Sequence, residues 1–123
     1  MGVDVSVAGG EAGLILRFSD EDTYLAFFIN PVARSFRLEQ HVAGTASTLL
    51  DKPHQAVRSG SSARNRIVAR LEGEQLGLRI NGQTVADLTL SDPPPAPRYG
   101  LAAVAGNSSV EAHFYDLSLR ALA

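Results

Sequence analysis

The chain predicts an all-β protein, an antiparallel two-sheet β-sandwich. Apolar and polar residues alternate with period two along most of its length, the signature of strands buried on one face. Gly, Asn and Asp pairs recur at short intervals between the alternating runs, where tight reversals need residues that tolerate positive φ. No stretch reads as a helix.

Taken in order, the strand-like runs are Val3–Ala8, Ala12–Phe18, Asp22–Asn30, Ser35–Val42, Ser47–Leu50, Asn65–Leu71, Gln75–Asn81, Thr84–Leu90, Arg98–Ala105 and Ser109–Arg120. Gly9-Gly10, Asp20-Glu21-Asp22, Ala43-Gly44, Asn81-Gly82 and Gly106-Asn107 supply the turns. The clearest segment is Asn65–Leu90, where Ile67, Ala69 and Leu71 alternate with polar neighbours, as do Leu76, Leu78 and Ile80 beyond Glu72-Gly73-Glu74-Gln75. Asn81-Gly82 then closes a second hairpin into Gln83–Leu90, because both residues accept the left-handed conformation of a two-residue turn. Two connections are longer. Asp51–Arg64 contains Lys52-Pro53-His54 and Ser59-Gly60-Ser61-Ser62, the composition of a mobile surface loop, and the four prolines within Ser91–Pro97 favour a stiff extended crossing. The alternation places Leu14, Leu16, Phe27, Ile29, Leu38, Ile67, Leu78, Ile80 and Leu101 between the sheets.

With 123 residues, 45% of them apolar and 20% charged, the chain fits one domain over residues 1–123. A net charge of −2, with ten arginines and one lysine scattered among the acids, leaves no basic stripe for nucleic acid. Cysteine is absent, which excludes disulfides, thiolate metal sites and cysteine nucleophiles. Met1-Gly2-Val3-Asp4 opens directly into strand alternation, without the pattern of a signal peptide, and no apolar run reaches membrane-spanning length.

The Asn65–Leu90 meander, the hairpin Ala12–Asn30 with Asp20-Glu21-Asp22-Thr23-Tyr24 at its turn, and the closing Gly100-Leu101-Ala102-Ala103 and Phe114-Tyr115-Asp116-Leu117-Ser118-Leu119 segments follow one another in a familiar order. Together they resemble the concanavalin A-like lectin/glucanase superfamily, in particular its laminin-G-like branch and the bacterial branch related to 3-keto-glycoside hydrolases. The chain departs from that pattern at Leu25, where Tyr or another bulky residue is usual, and at the Pro31-Val32-Ala33-Arg34 turn, where a Gly is usual. The resemblance implies a jelly-roll topology and a lectin-like carbohydrate-binding or recognition module of a larger bacterial protein, extracellular or periplasmic. It also implies strands ahead of Val3–Ala8, the last of them paired with the C-terminal strand; without them a sheet edge stays open and favours a homo-oligomer.

Side chains outside the core pattern carry the candidate chemistry. On neighbouring strands, Tyr24 and Phe28 alternate away from Leu25, Phe27 and Ile29, while Arg37, Glu39 and His41 alternate away from Phe36 and Leu38. These five form a mixed aromatic and polar face suited to a glycan or polysaccharide: rings cover the apolar face of a sugar, and planar charged groups exchange hydrogen bonds with its hydroxyls. The same face could be an ordinary covered sheet surface. Asp20 and Asp22 form an oxygen-rich loop that invites calcium, although Ca²⁺ takes about six to eight oxygens and few are in view. His41, His54 and His113 show no metal-ligand spacing.

No Glu-x-Asp-x-x-Glu strand, Gly-x-Ser-x-Gly elbow or ordered triad is present, so no catalytic residue is assigned. Two alternatives stand beside the binding module. A glycoside-processing hydrolase would have to assemble acids from separate strands, with Glu39, Asp87 and Asp116 as starting points. A structural self-assembling sandwich would use the outer hairpin face, Tyr24 and Phe28, as a subunit contact.

Overall fold

A computed structural model describes residues 1–91, 93, 98–106 and 109–119. It contains ten strands: β1 (Gly2–Ala8), β2 (Gly10–Asp20), β3 (Thr23–Asn30), β4 (Ser35–Val42), β5 (Thr45–Pro53), β6 (Asn65–Glu72), β7 (Gln75–Ile80), β8 (Gln83–Thr89), β9 (Gly100–Ala105) and β10 (Glu111–Ser118). Two five-stranded antiparallel sheets result, ordered β10-β1-β6-β7-β8 and β5-β4-β3-β2-β9, with no helix among the described residues. The two-sheet sandwich expected from alternation is what forms. Pro94, Pro95 and Pro97 of the expected extended crossing, Asn107 of the expected turn and Arg120 lie outside the described residues.

Turn chemistry sets the register. Asn81 and Gly82 both take positive φ (50° and 83°), as do Ala43 and Gly44 (50° and 85°), the geometry that matches the twist of a two-residue hairpin. In the first hairpin Ile80 pairs with Gln83, and in the second Val42 pairs with Thr45. A one-residue slip at either would turn each apolar face to solvent.

Three expectations are corrected. β5 extends over Asp51–Pro53, because these residues pair with Arg37, Phe36 and Ser35 at a sheet edge, where lysine and proline are tolerated. The start of the segment after it, Gln55–Arg58, is also tied down by hydrogen bonds. Arg34 donates from Nε to the Val57 carbonyl at 2.9 Å and from Nη2 to that of Gln55 at 2.8 Å, while Asn65 and Asn81 bind it from the opposite sheet. Ala56 and Val57 thereby close one end of the core. Leu101 is the third: it pairs with buried Leu14 yet is 37% exposed, because β9 ends its sheet and nothing among the described residues covers its flank. Leu14, Leu16, Phe27, Ile29, Leu38, Ile67, Leu78 and Ile80 are buried as expected, and Phe27 meets Phe36 edge-on at 6.2 Å.

Candidate functional site

The outer face of the β5-β4-β3-β2-β9 sheet brings the five predicted residues together. Antiparallel pairing sets Tyr24 opposite His41, Ala26 opposite Glu39 and Phe28 opposite Arg37, and opposed residues share a face. Tyr24 and His41 stack at 4.3 Å with an interplanar angle of 15°. Glu39 joins both neighbours on its strand: Oε2 lies 3.0 Å from His41 Nε2, and Oε1 is ion-paired to Arg37 Nη1. Arg37 in turn donates from Nε to Glu11 Oε2 at 2.8 Å and lies 5.0 Å over the Phe28 ring.

That last contact changes the reading of Phe28. The ring is 5% exposed and lies beneath the guanidinium, so it anchors Arg37 and does not form an open apolar contact surface. The charged row Glu11–Arg37–Glu39–His41 is partly shielded, with side chains 16–22% exposed. Each member is already oriented by another before any ligand arrives. Such preorganisation lowers the ordering cost of binding.

Further along the same face the side chains become short. Ala26 is followed across the sheet by Ile15 and Gly100, and Phe28 by Gly13 and Ala102. Room is left above this row, and an open depression of about 490 Å³ occupies its Ile15–Gly100 end, within the roughly 300–1,000 Å³ typical of small-molecule sites. Phe18, Tyr24 and Tyr99 contribute aromatic walls, Ile15 adds apolar surface, Gly100 and Leu101 border the depression at the sheet edge, and Glu21 supplies a carboxylate. Phe18 and Tyr24 are themselves stacked at 6.0 Å, so Phe18, Tyr24 and His41 form a continuous aromatic line from the depression to the charged row.

Glu11, Phe18, Glu21 and Tyr99 were not among the residues singled out from sequence. Glu11 reaches Arg37 across two strand boundaries, and Tyr99 shares the depression with Tyr24 only because β9 pairs with β2. Neither adjacency is written in local periodicity. Phe18 and Tyr24 flank one hairpin turn, a signal that short-range reasoning could have used.

The acidic loop is engaged differently. Asp20 Oδ1 accepts the Asp22 N–H at 2.8 Å, closing the turn, and the Asp22 carbonyl accepts the Gly44 N–H. Among the described residues no group of three His, Asp or Glu side chains gathers at metal-binding distance, there or elsewhere. Glu39, Asp87 and Asp116 are not brought together: Glu39 lies on β4, while Asp87 and Asp116 lie on β8 and β10, the opposite edges of the other sheet. His54 bonds Ala56 N–H through Nδ1, and His113 faces Glu111 and Tyr115 on the far side of the molecule.

No protein-family model matches the chain, and no curated protein matches it in sequence. Among solved structures, the chain is similar to a carbohydrate binding module, CBM66, from Bacillus subtilis, with a TM-score of 0.73 and 15% identity over 94% of this chain and 70% of that one. At that identity the likeness establishes a shared β-sandwich fold.

Proposed function

We propose that this protein is a non-catalytic carbohydrate-binding module that receives a sugar ring in the depression bounded by Phe18, Tyr24 and Tyr99, with Arg37, Glu39 and His41 extending the site along the sheet. The observation that carries the reading is the juxtaposition on one sheet face: an open aromatic depression of about 490 Å³ continuous with an internally bonded row of charged groups. Aromatic rings gain from covering the C–H face of a sugar, and carboxylate and guanidinium groups bond its hydroxyls in fixed planes. The fold likeness to a carbohydrate binding module supports the reading, and so does the sequence resemblance to the concanavalin A-like superfamily. On this reading the module belongs to a larger extracytoplasmic bacterial protein, directing it to a glycan or polysaccharide.

An open site buries little of its ligand, so affinity is expected to be weak, with dissociation constants on the order of 0.1–1 mM. Calorimetric or NMR titration with a panel of oligosaccharides, compared across the wild type, Tyr24→Ala and Arg37→Ala, tests the proposal. Tyr24→Ala should weaken binding about tenfold, roughly 1.4 kcal/mol, by removing one aromatic wall. Sugar affinity unchanged in both variants would remove this face from consideration.

A further inference from the structure

Four strands border the two sheets: β8 and β10 in one, β5 and β9 in the other. An edge strand offers unpaired N–H and C=O groups to any other chain, and natural proteins blunt it with charge, proline or bulges. β5 carries Asp51, Lys52 and Pro53 and a register shift at Leu38/Glu39. β8 carries Asp87 and a shift at Leu78/Arg79, and β10 carries Glu111, Asp116 and a shift against Gly2/Asp4.

β9 has none of these devices. It reads Gly-Leu-Ala-Ala-Val-Ala, without charge or proline, and pairs with β2 in unbroken register from Gly10↔Ala105 to Ile15↔Gly100. Both faces of the strand are open: Leu101 (37% exposed) faces the interior opposite Leu14, and Val104 (38% exposed) faces outward opposite Glu11. Ala103, opposite fully buried Ala12, is exposed as well. An uncharged strand in unbroken register, with apolar residues on both sides, is the form of edge that pairs with another strand.

We propose that β9 pairs antiparallel with β9 of a second copy of this chain, across a two-fold axis perpendicular to the sheet. A second copy fits for two reasons. Because β9 carries no charge, self-pairing opposes no like charges, and in a central register each Leu101 and Val104 meets a small apolar residue, alanine or glycine, of the partner strand. The flank also has two stacked edges, since β9 lies outboard of β2 and β10 outboard of β1, with the two levels joined where Gly106 N–H bonds the Gly9 carbonyl at 2.8 Å. The same two-fold that joins β9 to β9 brings β10 beside β10, whereas a single extended peptide would cover one level only. The dimer would carry one continuous ten-stranded sheet with Tyr99, Gly100 and Leu101 of each copy beside the seam. If the proposed glycan site is correct, both depressions then open on the same side, and two weak sites act together on a polymeric ligand.

Sedimentation velocity across the micromolar range tests the pairing, with hydrogen–deuterium exchange of the Leu101–Val104 amides at low and high protein concentration as the second measurement. The wild type is expected to sediment as a dimer at the upper end, with those amides protected in a concentration-dependent way. Ala103→Lys combined with Val104→Lys should raise the dimer dissociation constant at least tenfold, while Val32→Lys, at an 83% exposed site away from the seam, should leave it unchanged. A wild type that stays monomeric, or a dimer that survives the double substitution, overturns the proposal. So does protection that falls on another edge, or that appears only when an extended peptide is added. Should the double variant fail to fold, the exchange data on the wild type decide alone. None of these outcomes depends on sugar binding.

Discussion

Replacing Asn65 with alanine removes the polar joint between the core and the loop that closes one end of the sandwich. Asn65 is fully buried. Its Oδ1 accepts the Arg58 N–H at 2.7 Å and Asn81 Nδ2 at 2.9 Å, and its own Nδ2 donates to the Arg58 carbonyl at 3.1 Å. A hydrogen bond contributes about 1 kcal/mol net, and a polar group orphaned in the interior costs about 1–3 kcal/mol. Arg58 is an exposed residue, so water can reach part of its backbone, and the lower figure applies to each bond. Three bonds at that rate give a destabilisation of about 3 kcal/mol, measured as a lower urea midpoint at unchanged m-value. Asn65→Asp keeps both acceptor contacts but places a buried carboxylate beside the Arg58 carbonyl. That removes one donor and sets two acceptors against each other in the interior, so Asn65→Asp should also destabilise, by about 1–3 kcal/mol. A loss below about 0.5 kcal/mol for Asn65→Ala, within the range of ordinary surface changes, would refute the view that this joint holds the loop.

Further outcomes follow from single positions. Phe27→Ala should cost about 3–5 kcal/mol and Ile80→Ala about 2–5 kcal/mol in chemical denaturation, since both side chains are fully buried between the sheets. Ala43→Gly should stabilise the protein by up to about 1 kcal/mol in thermal unfolding, because alanine is held at a φ of 50° in its turn and glycine meets no such penalty. Gly13→Ala should destabilise by about 1–3 kcal/mol and shift the NMR resonances of Phe28 and Arg37, because a methyl there would collide with the Phe27 carbonyl oxygen beneath the site.

How far the sequence could be read depended on the range over which each interaction acts. Alternation is local, and it placed Leu25, Phe27 and Ile29 on one face and Tyr24, Phe28, Arg37, Glu39 and His41 on the other. Turn chemistry is local too: Ala43-Gly44 and Asn81-Gly82 sit at the tight reversals that set the β4–β5 and β7–β8 pairings. The loop after β5 escaped this logic, since its polar composition signals exposure while Arg34 and Asn81, which fasten it together with the adjoining Asn65, come from elsewhere in the chain. Leu101 escaped for a related reason. Alternation tells which face a side chain takes but not whether anything lies over that face, and at a sheet edge the answer depends on tertiary neighbours. The depression combines both cases: Tyr24 was visible from its own strand, whereas Tyr99 arrives through the β2–β9 pairing, far away in sequence. β9 therefore matters twice, because it borders the candidate site and, among the described residues, is the sheet-edge strand without charge, proline or a register shift. Addition of a strand at that edge would lie directly beside the depression proposed to bind sugar, so assembly and binding are expected to be coupled through Tyr99, Gly100 and Leu101.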